Sequence, residues 1–136
     1  MNNITEEENG EVKMPDLSAA EPKVWADTIV SLLDAHKAQE IKVLEVADQT
    51  IVADYFVLCT GTSNTQVKGL AGELEYKMGL ANVPYLRMEG YTEGSWIILD
   101  YGSVLVHIFQ RDTRDFYNLE KLWSDAKDID ISSLLK

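Results

Sequence analysis

The chain has 136 residues, of which 46% are hydrophobic, and its formal net charge at pH 7 is −11. This length predicts one domain with a core of its own. The chain has 23 acidic and 12 basic residues. This composition disfavours extensive direct nucleic-acid binding, which draws most of its affinity from lysine and arginine. It favours a basic protein partner.

Residues 1–19 are acidic and contain few large apolar side chains, which predicts a disordered, solvated arm. The start of the chain lacks the basic and apolar regions of a secretion signal, and its acidity also argues against a mitochondrial transit peptide. Nowhere does an apolar run approach the ~20 residues that a membrane span needs. We therefore expect a cytoplasmic protein of bacterial type without a membrane partner.

Cys59 is the only cysteine, so a single chain can form neither a disulfide nor a cluster of thiolate metal ligands. It lies in a strand-like run, where a small buried thiol is the expected role. His36 and His107 stand apart from any group of His, Asp and Glu at ligand spacing. We expect no metal site and no cofactor.

The ordered domain is predicted to cover residues 20–126 and to begin with a helix near Pro22, because proline fits a first helical turn. The apolar stripe of this helix consists of Trp25, Ile29, Leu32 and Leu33. This spacing places them on one side of the helix. Strands are predicted next at residues 41–46 and 55–60, joined by a polar turn.

A second helix is predicted after Gly61. Ser63 and Gln66 form the pattern of a capping box, in which the hydroxyl and the amide each satisfy a free backbone donor, and Gly79 can end the helix. Such a junction often holds phosphate. This one lacks the lysine of a P-loop and the three glycines of a dinucleotide site, so capping is the favoured interpretation.

Residues 95–109 are the most informative segment, because two apolar, β-branched runs joined by a turn with Gly102 predict a tight β-hairpin. A short strand at residues 85–88 precedes it. Alternation divides the first hairpin strand into Trp96, Ile98 and Asp100 on one side and Ile97, Leu99 and Tyr101 on the other. Both sides are largely apolar, so contact with another molecule is one way to cover the second.

Residues 111–126 are apolar at near-helical spacing and predict a last helix. Its apolar residues are Phe116, Tyr117, Leu119, Leu122 and Trp123. Packing of the helix on the sheet is favoured over partner contact for Arg114, Tyr117, Leu119, Glu120, Leu122 and Trp123. Residues 127–136 are interpreted as a C-terminal tail. The order of elements predicts a single α/β domain with a mixed five-stranded sheet flanked by helices.

Catalysis is disfavoured because Asp100 has no second carboxylate at the spacing that a two-metal site needs. Ile98 and Gly102 stand two residues to either side of Asp100, so the Asp-x-Asp pair of a two-magnesium nucleotidyltransferase is missing. Ser63, His107 and Asp100 provide the residue types of a triad, but nothing in the sequence indicates that they meet.

Five blocks of the sequence, residues 54–63, 89–90, 96–102, 106–109 and 114–123, resemble in order and spacing the ribosomal silencing factor family, also called RsfS or Iojap-like. The resemblance implies a non-enzymatic translational repressor. Such a protein binds the large ribosomal subunit through ribosomal protein number fourteen and blocks joining of the small subunit. The implied fold is nucleotidyltransferase-like without the catalytic carboxylates.

On this basis we predict a partner-binding surface on the hairpin. Its residues are Trp96, Leu99, Asp100, Tyr101, Glu89 and Asp54. Trp96 and Tyr101 would supply buried aromatic contacts and Leu99 an apolar floor. Asp100 would pair with a basic residue of the partner, flanked by the two remaining carboxylates.

Two alternatives stay open at this point. The first is an enzyme of nucleotidyltransferase descent that binds a nucleotide at residues 61–63. The second is an acidic adaptor that forms a homodimer through the hairpin, since exposed strand edges and an aromatic rim favour self-association.

Overall fold

The computed structural model describes residues 13–136, which form one mixed sheet with helices packed on both faces. The helices are α1 (Pro22–Ala35), α2 (Asn64–Leu80), α3 (Arg111–Tyr117) and α4 (Leu119–Leu122). The strands are β1 (Gln39–Glu45), β2 (Tyr55–Gly61), β3 (Arg87–Glu89), β4 (Trp96–Asp100), β5 (Val104–Gln110) and β6 (Lys127–Ile129). Among these elements, no helix is both long enough and apolar enough to span a membrane.

The strands lie in the order β3-β4-β5-β2-β1-β6 across the sheet. β2 and β5 run parallel, and the other neighbouring pairs are antiparallel. The predicted α/β domain with a mixed sheet is confirmed. The predicted strand number is wrong, because the described residues form six strands instead of five.

The sixth strand comes from the segment that was predicted to be a tail. β6 pairs with β1 through Val43 and Ile129, Ile131 is buried in the core, and the Lys136 amide donates to an Asp34 carboxylate oxygen at 2.9 Å. A three-residue strand is too short to show an alternating pattern, so only its pairing with β1 reveals it. Residues 127–136 therefore belong to the domain.

Order also begins earlier than the predicted boundary at residue 20. Leu17 is buried, its amide donates to the Ala81 carbonyl at 2.9 Å, and its own carbonyl accepts from the Trp25 indole at 2.7 Å. Disorder was predicted for residues 1–19, of which residues 1–12 lie outside the described residues, whereas Leu17 is packed into the core.

The first face of the sheet is covered by α1 and α2. The predicted caps form: Pro22 opens α1, and the Ser63 hydroxyl at the start of α2 accepts from the Gln66 amide at 3.1 Å. The cluster beneath the helices includes Ile29, Leu33, Val57, Cys59, Leu74, Met78, Ile97, Leu99, Val106 and Ile108. Burial raises the pKa of the Cys59 thiol to about 12, so this thiol is a neutral packing group, as predicted.

The second face has a smaller cluster over β1, β2 and β5. Its members are Leu44, Val46, Ala53, Phe56, Leu58 and Phe109, with Leu119, Trp123 and Ala126 packed against them. On this face β4 and β3 are less completely covered by other residues. Ile98 in β4 is only partly buried, and Arg87 and Glu89 in β3 are exposed.

The predicted last helix is interrupted at Asn118, which adopts a left-handed backbone conformation (φ 49°, ψ 59°). Its side-chain oxygen accepts from the Lys121 amide at 3.3 Å and caps α4. Asparagine is one of the few residues that tolerates this conformation. The break divides the predicted apolar stripe. Leu119 and Trp123 pack on the sheet, whereas Phe116, Tyr117 and Leu122 are exposed. The predicted packing of Tyr117 and Leu122 is therefore wrong.

Candidate partner-binding surface

The predicted hairpin is present, with β4 and β5 paired in antiparallel register. Gly102 supplies the positive φ of its turn, +86°, and the Gly102 amide donates to an Asp100 carboxylate oxygen at 2.7 Å. Three cross-strand pairs face the second side of the sheet, namely Trp96 with Phe109, Ile98 with His107, and Asp100 with Leu105. The alternating residues Ile97 and Leu99 face α1 and α2.

This alternation contradicts two of the predicted contact residues. Leu99 has 0% and Tyr101 has 4% of its surface exposed, and both belong to the core under α2. Burial raises the pKa of the Tyr101 phenol. Successive residues of a strand point to opposite faces, so Trp96 and Tyr101 cannot share one surface. Leu99 and Tyr101 therefore cannot contact a partner in this fold, and that part of the prediction is wrong.

Trp96 lies on the second face, partly buried and held by three neighbours. Its indole stacks on Phe109 with ring centroids 5.0 Å apart and lies 4.9 Å from the Tyr117 ring. Its ring nitrogen donates to His107 Nδ1 at 3.2 Å. A large amphipathic side chain fixed in this way is pre-organised for contact.

His107 is buried beneath Trp96, with the Phe56 ring edge-on at 5.1 Å. Burial lowers the pKa of the imidazole to about 4, so the ring is neutral at pH 7. Because Nδ1 accepts the bond from Trp96, the ring proton is on Nε2. Nε2 is buried, and no hydrogen-bond partner for it exists within residues 13–136.

Charged groups from β3 and β4 border the same face. Asp100 is opposite Arg87 in the register, with 3.7 Å between Asp100 Oδ2 and Arg87 Nη2. Arg87 also lies 3.3 Å from Glu89. Arg87 was not predicted from the sequence, since its role depends on cross-strand pairing. Hereafter, the open face means Trp96, Ile98, Asp100, Leu105, Arg87 and Glu89.

Asp54 lies at the end of the sheet where the hairpin turns. Its amide donates to the Ser103 carbonyl at 2.8 Å, which brings it near the turn that follows Asp100. The structure thus places Asp54, Asp100 and Trp96 at the hairpin. Glu89 is on the edge strand beside it, opposite Ile98.

An exposed apolar group next to Trp96 was missed by the sequence analysis. It consists of Phe116, Tyr117 and Leu122, which are 80%, 53% and 74% exposed, and is hereafter the α3–α4 lip. A groove of about 560 Å³ lies between these side chains. The Tyr117 ring connects the lip to Trp96. Asn118 was the available signal, because a residue suited to a left-handed turn within an apolar stripe indicates a break.

Arg114 fixes the lip to the sheet and was also not predicted as a functional residue. Its buried guanidinium donates to the Glu40 carbonyl at 2.7 Å, to the Thr60 hydroxyl at 2.9 Å and to the Glu120 carboxylate at 2.9 Å. Glu40 in turn forms a two-pronged ion pair with Arg111, which lowers the pKa of the Glu40 carboxyl. These polar contacts add to the apolar packing of Leu119 and Trp123 in fixing the position of α3 and α4.

The residues considered for catalysis are not brought together. The end of β2 that leads to Ser63 pairs with Gln110, whereas Asp100 pairs with Leu105, near the other end of β5. At the β2–α2 junction the amides of Thr62 and Gln66 already donate to side chains of the cap. The described part of the chain contains no group of three or more His, Cys, Asp or Glu residues that could hold a metal ion.

Comparison with known proteins places this chain in a family. The model of the family described as "Ribosomal silencing factor during starvation" matches residues 19–136. The ribosomal silencing factor RsfS of Bacillus subtilis is 41% identical over 93 residues, which are 68% of this chain and 79% of that protein.

Two further relatives extend the comparison. The mouse protein named mitochondrial assembly of ribosomal large subunit protein 1 is 36% identical over 101 residues, covering 72% of this chain and 44% of its own. A crystal structure of a protein from Chromobacterium violaceum is 32% identical with a TM-score of 0.75, covering 76% of this chain and 87% of its own. The chain therefore belongs to the ribosomal silencing factor family.

Proposed function

We propose that this chain binds the large ribosomal subunit through ribosomal protein number fourteen and blocks joining of the small subunit. The observation that carries the proposal is the open face with its adjoining lip, an apolar, aromatic and acid-bordered surface beside a core that is otherwise covered. Family membership supports the silencing role, and the mouse relative's name connects a related chain with the large subunit.

The charge of the chain supports a basic protein as the partner. Ribosomal proteins are commonly basic, and a net charge of −11 attracts such a protein while it repels the surrounding ribosomal RNA. Asp100 is the best-placed acid, because the ion pair of its Oδ2 within residues 13–136 is a long one, 3.7 Å from exposed Arg87. A lysine or arginine of the partner can replace that contact without breaking the Asp100 bond to Gly102.

Trp96 supports the same surface as the centre of recognition. Its neighbours hold the indole before any partner arrives, so little side-chain entropy is lost on binding. Buried aromatic anchors in the middle of an interface carry much of the binding energy. The lip adds exposed apolar area directly beside this anchor.

Occlusion explains how binding would silence the ribosome without catalysis. A folded body of this length has a radius of gyration of about 14 Å, and so a diameter of roughly 35 Å. A body of that size on the face that receives the small subunit occupies space that the joined subunits need. The inhibitory step is then steric and requires no nucleotide.

Cosedimentation with isolated large and small subunits, followed by a subunit-joining assay, tests the proposal. Trp96→Ala should weaken large-subunit binding about thirtyfold, since loss of a central aromatic anchor costs on the order of 2 kcal/mol. Asp100→Lys should weaken it too, because it replaces an attraction by a repulsion. Tyr76→Ala and Glu75→Lys, at exposed positions on α2, are the matched controls and should bind like the parent.

Two results would contradict the proposal. One is cosedimentation of both hairpin variants with large subunits as well as the parent. The other is retention of full inhibition of subunit joining by variants that no longer cosediment. A folded far-UV spectrum for each variant confirms that binding, not folding, is being compared.

A further inference from the structure

We infer that His107 is a positioning residue of the open face, which holds the Trp96 indole in one of two ring orientations. The contact responsible is the 3.2 Å hydrogen bond from the Trp96 ring nitrogen to His107 Nδ1. The effect on partner binding rests on the proposed function. The effect on the indole does not, because it is a property of the free protein.

The two ring orientations of Trp96 differ in the contacts that they allow. A half-turn of the indole about its Cβ–Cγ bond keeps the ring close to the same plane, but it exchanges the sides on which the ring nitrogen and the six-membered ring lie. In the observed orientation the indole contacts Phe109 and Tyr117 and its nitrogen faces His107. The hydrogen bond to His107 is the contact that depends directly on the position of the nitrogen.

Packing alone gives no reason for a histidine at position 107. Its neighbours Phe56, Trp96 and Phe109 are aromatic, and its Nε2–H is buried without a partner among the described residues. A buried unpaired donor is destabilising, so an apolar ring would suit this cluster better. The polar contact that sets histidine apart from such a ring is the one with Trp96.

The orientation matters for a partner that covers Trp96. With the ring nitrogen bonded to His107, the indole edge on the other side consists of carbon atoms, and a partner can bury that edge without stripping water from an N–H group. With the indole turned, the N–H points away from His107 and must lose its water or find a new acceptor. Burial of an unpaired N–H opposes binding.

Two substitutions of His107 separate the acceptor from the ring. His107→Phe keeps an aromatic ring and removes the acceptor, whereas His107→Asn removes the ring but places an amide oxygen near the position of Nδ1. Trp96→Phe keeps a ring on the open face and removes the donor. His107→Leu repeats the loss of the acceptor with a smaller side chain if the phenylalanine does not fit.

The first measurement is hydrogen exchange of the indole N–H in the free protein, followed by ¹⁵N NMR. The chain has three tryptophans, and the signal lost in Trp96→Phe is that of Trp96. In His107→Phe this signal should exchange about three- to tenfold faster, the equivalent of one net hydrogen bond. The signals of Trp25 and Trp123 should not change, and His107→Asn should recover part of the protection.

The second measurement is large-subunit binding. His107→Phe should weaken it by a similar factor while its urea midpoint at pH 7 equals or exceeds that of the parent. In the Trp96→Phe background, His107→Phe should have no further effect, because the donor is already absent. This result would separate positioning from a general structural role, which lowers stability and acts in both backgrounds.

Unchanged exchange of the Trp96 N–H in His107→Phe would overturn the inference, as would an equal loss of binding in both backgrounds. Failure of the parent itself to bind large subunits would instead contradict the proposed function. The exchange experiment would then still decide whether His107 orients Trp96.

Discussion

The two faces of the sheet are built from the same strands but are covered in different ways. On the first face, α1 has 14 residues and α2 has 17, about 21 and 26 Å of helix, enough to extend over strands of five to seven residues. On the second face, α3 has seven residues and α4 has four. The long helices close the first face, whereas the short ones leave β3 and part of β4 open.

The two pairs of helices are also held on the sheet by different kinds of contact. α1 and α2 are fixed by burial of apolar side chains, which is favourable wherever the area fits. α3 and α4 combine apolar packing of Leu119 and Trp123 with directional hydrogen bonds. These bonds join Arg114 to Glu40, Thr60 and Glu120. The two short helices hold exposed aromatic residues beside Trp96. One face therefore provides most of the apolar burial, whereas the other has a less complete core and can present a contact surface.

The largest expected effect is a difference in stability between substitutions of Leu99 and Ile98, neighbours in β4 that point to opposite faces. Leu99→Ala removes a fully buried side chain from the first face and should lower the free energy of unfolding by roughly 3 kcal/mol. Ile98→Ala, on the open face, should lower it by about 1 kcal/mol or less. Urea unfolding of the two variants measures this difference.

The effects of the same two substitutions on large-subunit binding should have the opposite order. Below the unfolding transition, Leu99→Ala should bind large subunits like the parent, whereas Ile98→Ala should bind more weakly. Equal stability losses for the two variants would show that the faces are not distinct in the way the register indicates.

Acidification should lower the free energy of unfolding through His107, the buried histidine of the second face. Burial lowers the His107 pKa from its ordinary value of 6.5 to about 4, so the fold favours the neutral ring. The resulting stability is fully present above pH 6.5 and is lost as the pH falls through 4. The loss amounts to about 3 kcal/mol for a shift of this size.

A comparison with His107→Phe isolates this contribution. Glu40 and Glu120 also have lowered pKa values in the fold, and their protonation destabilises both proteins alike. The unfolding free energy of the parent should therefore fall faster than that of His107→Phe between pH 6.5 and 4, as measured by urea titrations at several pH values. Parallel pH profiles would exclude a depressed pKa for this imidazole.

Much of the fold could be predicted from local patterns. The stripe from Trp25 to Leu33, the cap at Ser63 and the glycine turn at Gly102 each depend on residues close in sequence, and each is present. β6 could not be predicted, because three residues carry no period and their pairing with β1 joins segments more than 80 residues apart.

The candidate surface was predicted less completely. The hairpin was located correctly, but Leu99 and Tyr101 were assigned to the contact surface. Leu99 in β4 and Tyr101 directly after it lie on the face that α2 covers. Alternation shows which residues share a side. It does not show which side remains open, since that depends on helices elsewhere in the chain. For the same reason Arg87 and the lip appear only in three dimensions.

A substitution in the lip should have the smallest effect on stability. Its effect on large-subunit binding shows whether the contact surface of the second face includes the lip. Phe116 is 80% exposed, so Phe116→Ala should change the unfolding free energy by less than about 0.5 kcal/mol. If a partner covers the lip together with Trp96, the same substitution should weaken large-subunit binding about fivefold, or by about 1 kcal/mol, which is less than the loss at the central anchor.

Tyr91→Ala is the matched control for the lip. Tyr91 is also an exposed aromatic residue, 47% accessible, but it lies in the β3–β4 connection beside Lys68 of α2. Titration of each labelled variant with isolated large subunits should show a loss for Phe116→Ala and none for Tyr91→Ala. Binding equal to that of the parent for both would confine the contact to the hairpin, because an apolar residue next to a buried anchor contributes only where the partner reaches it.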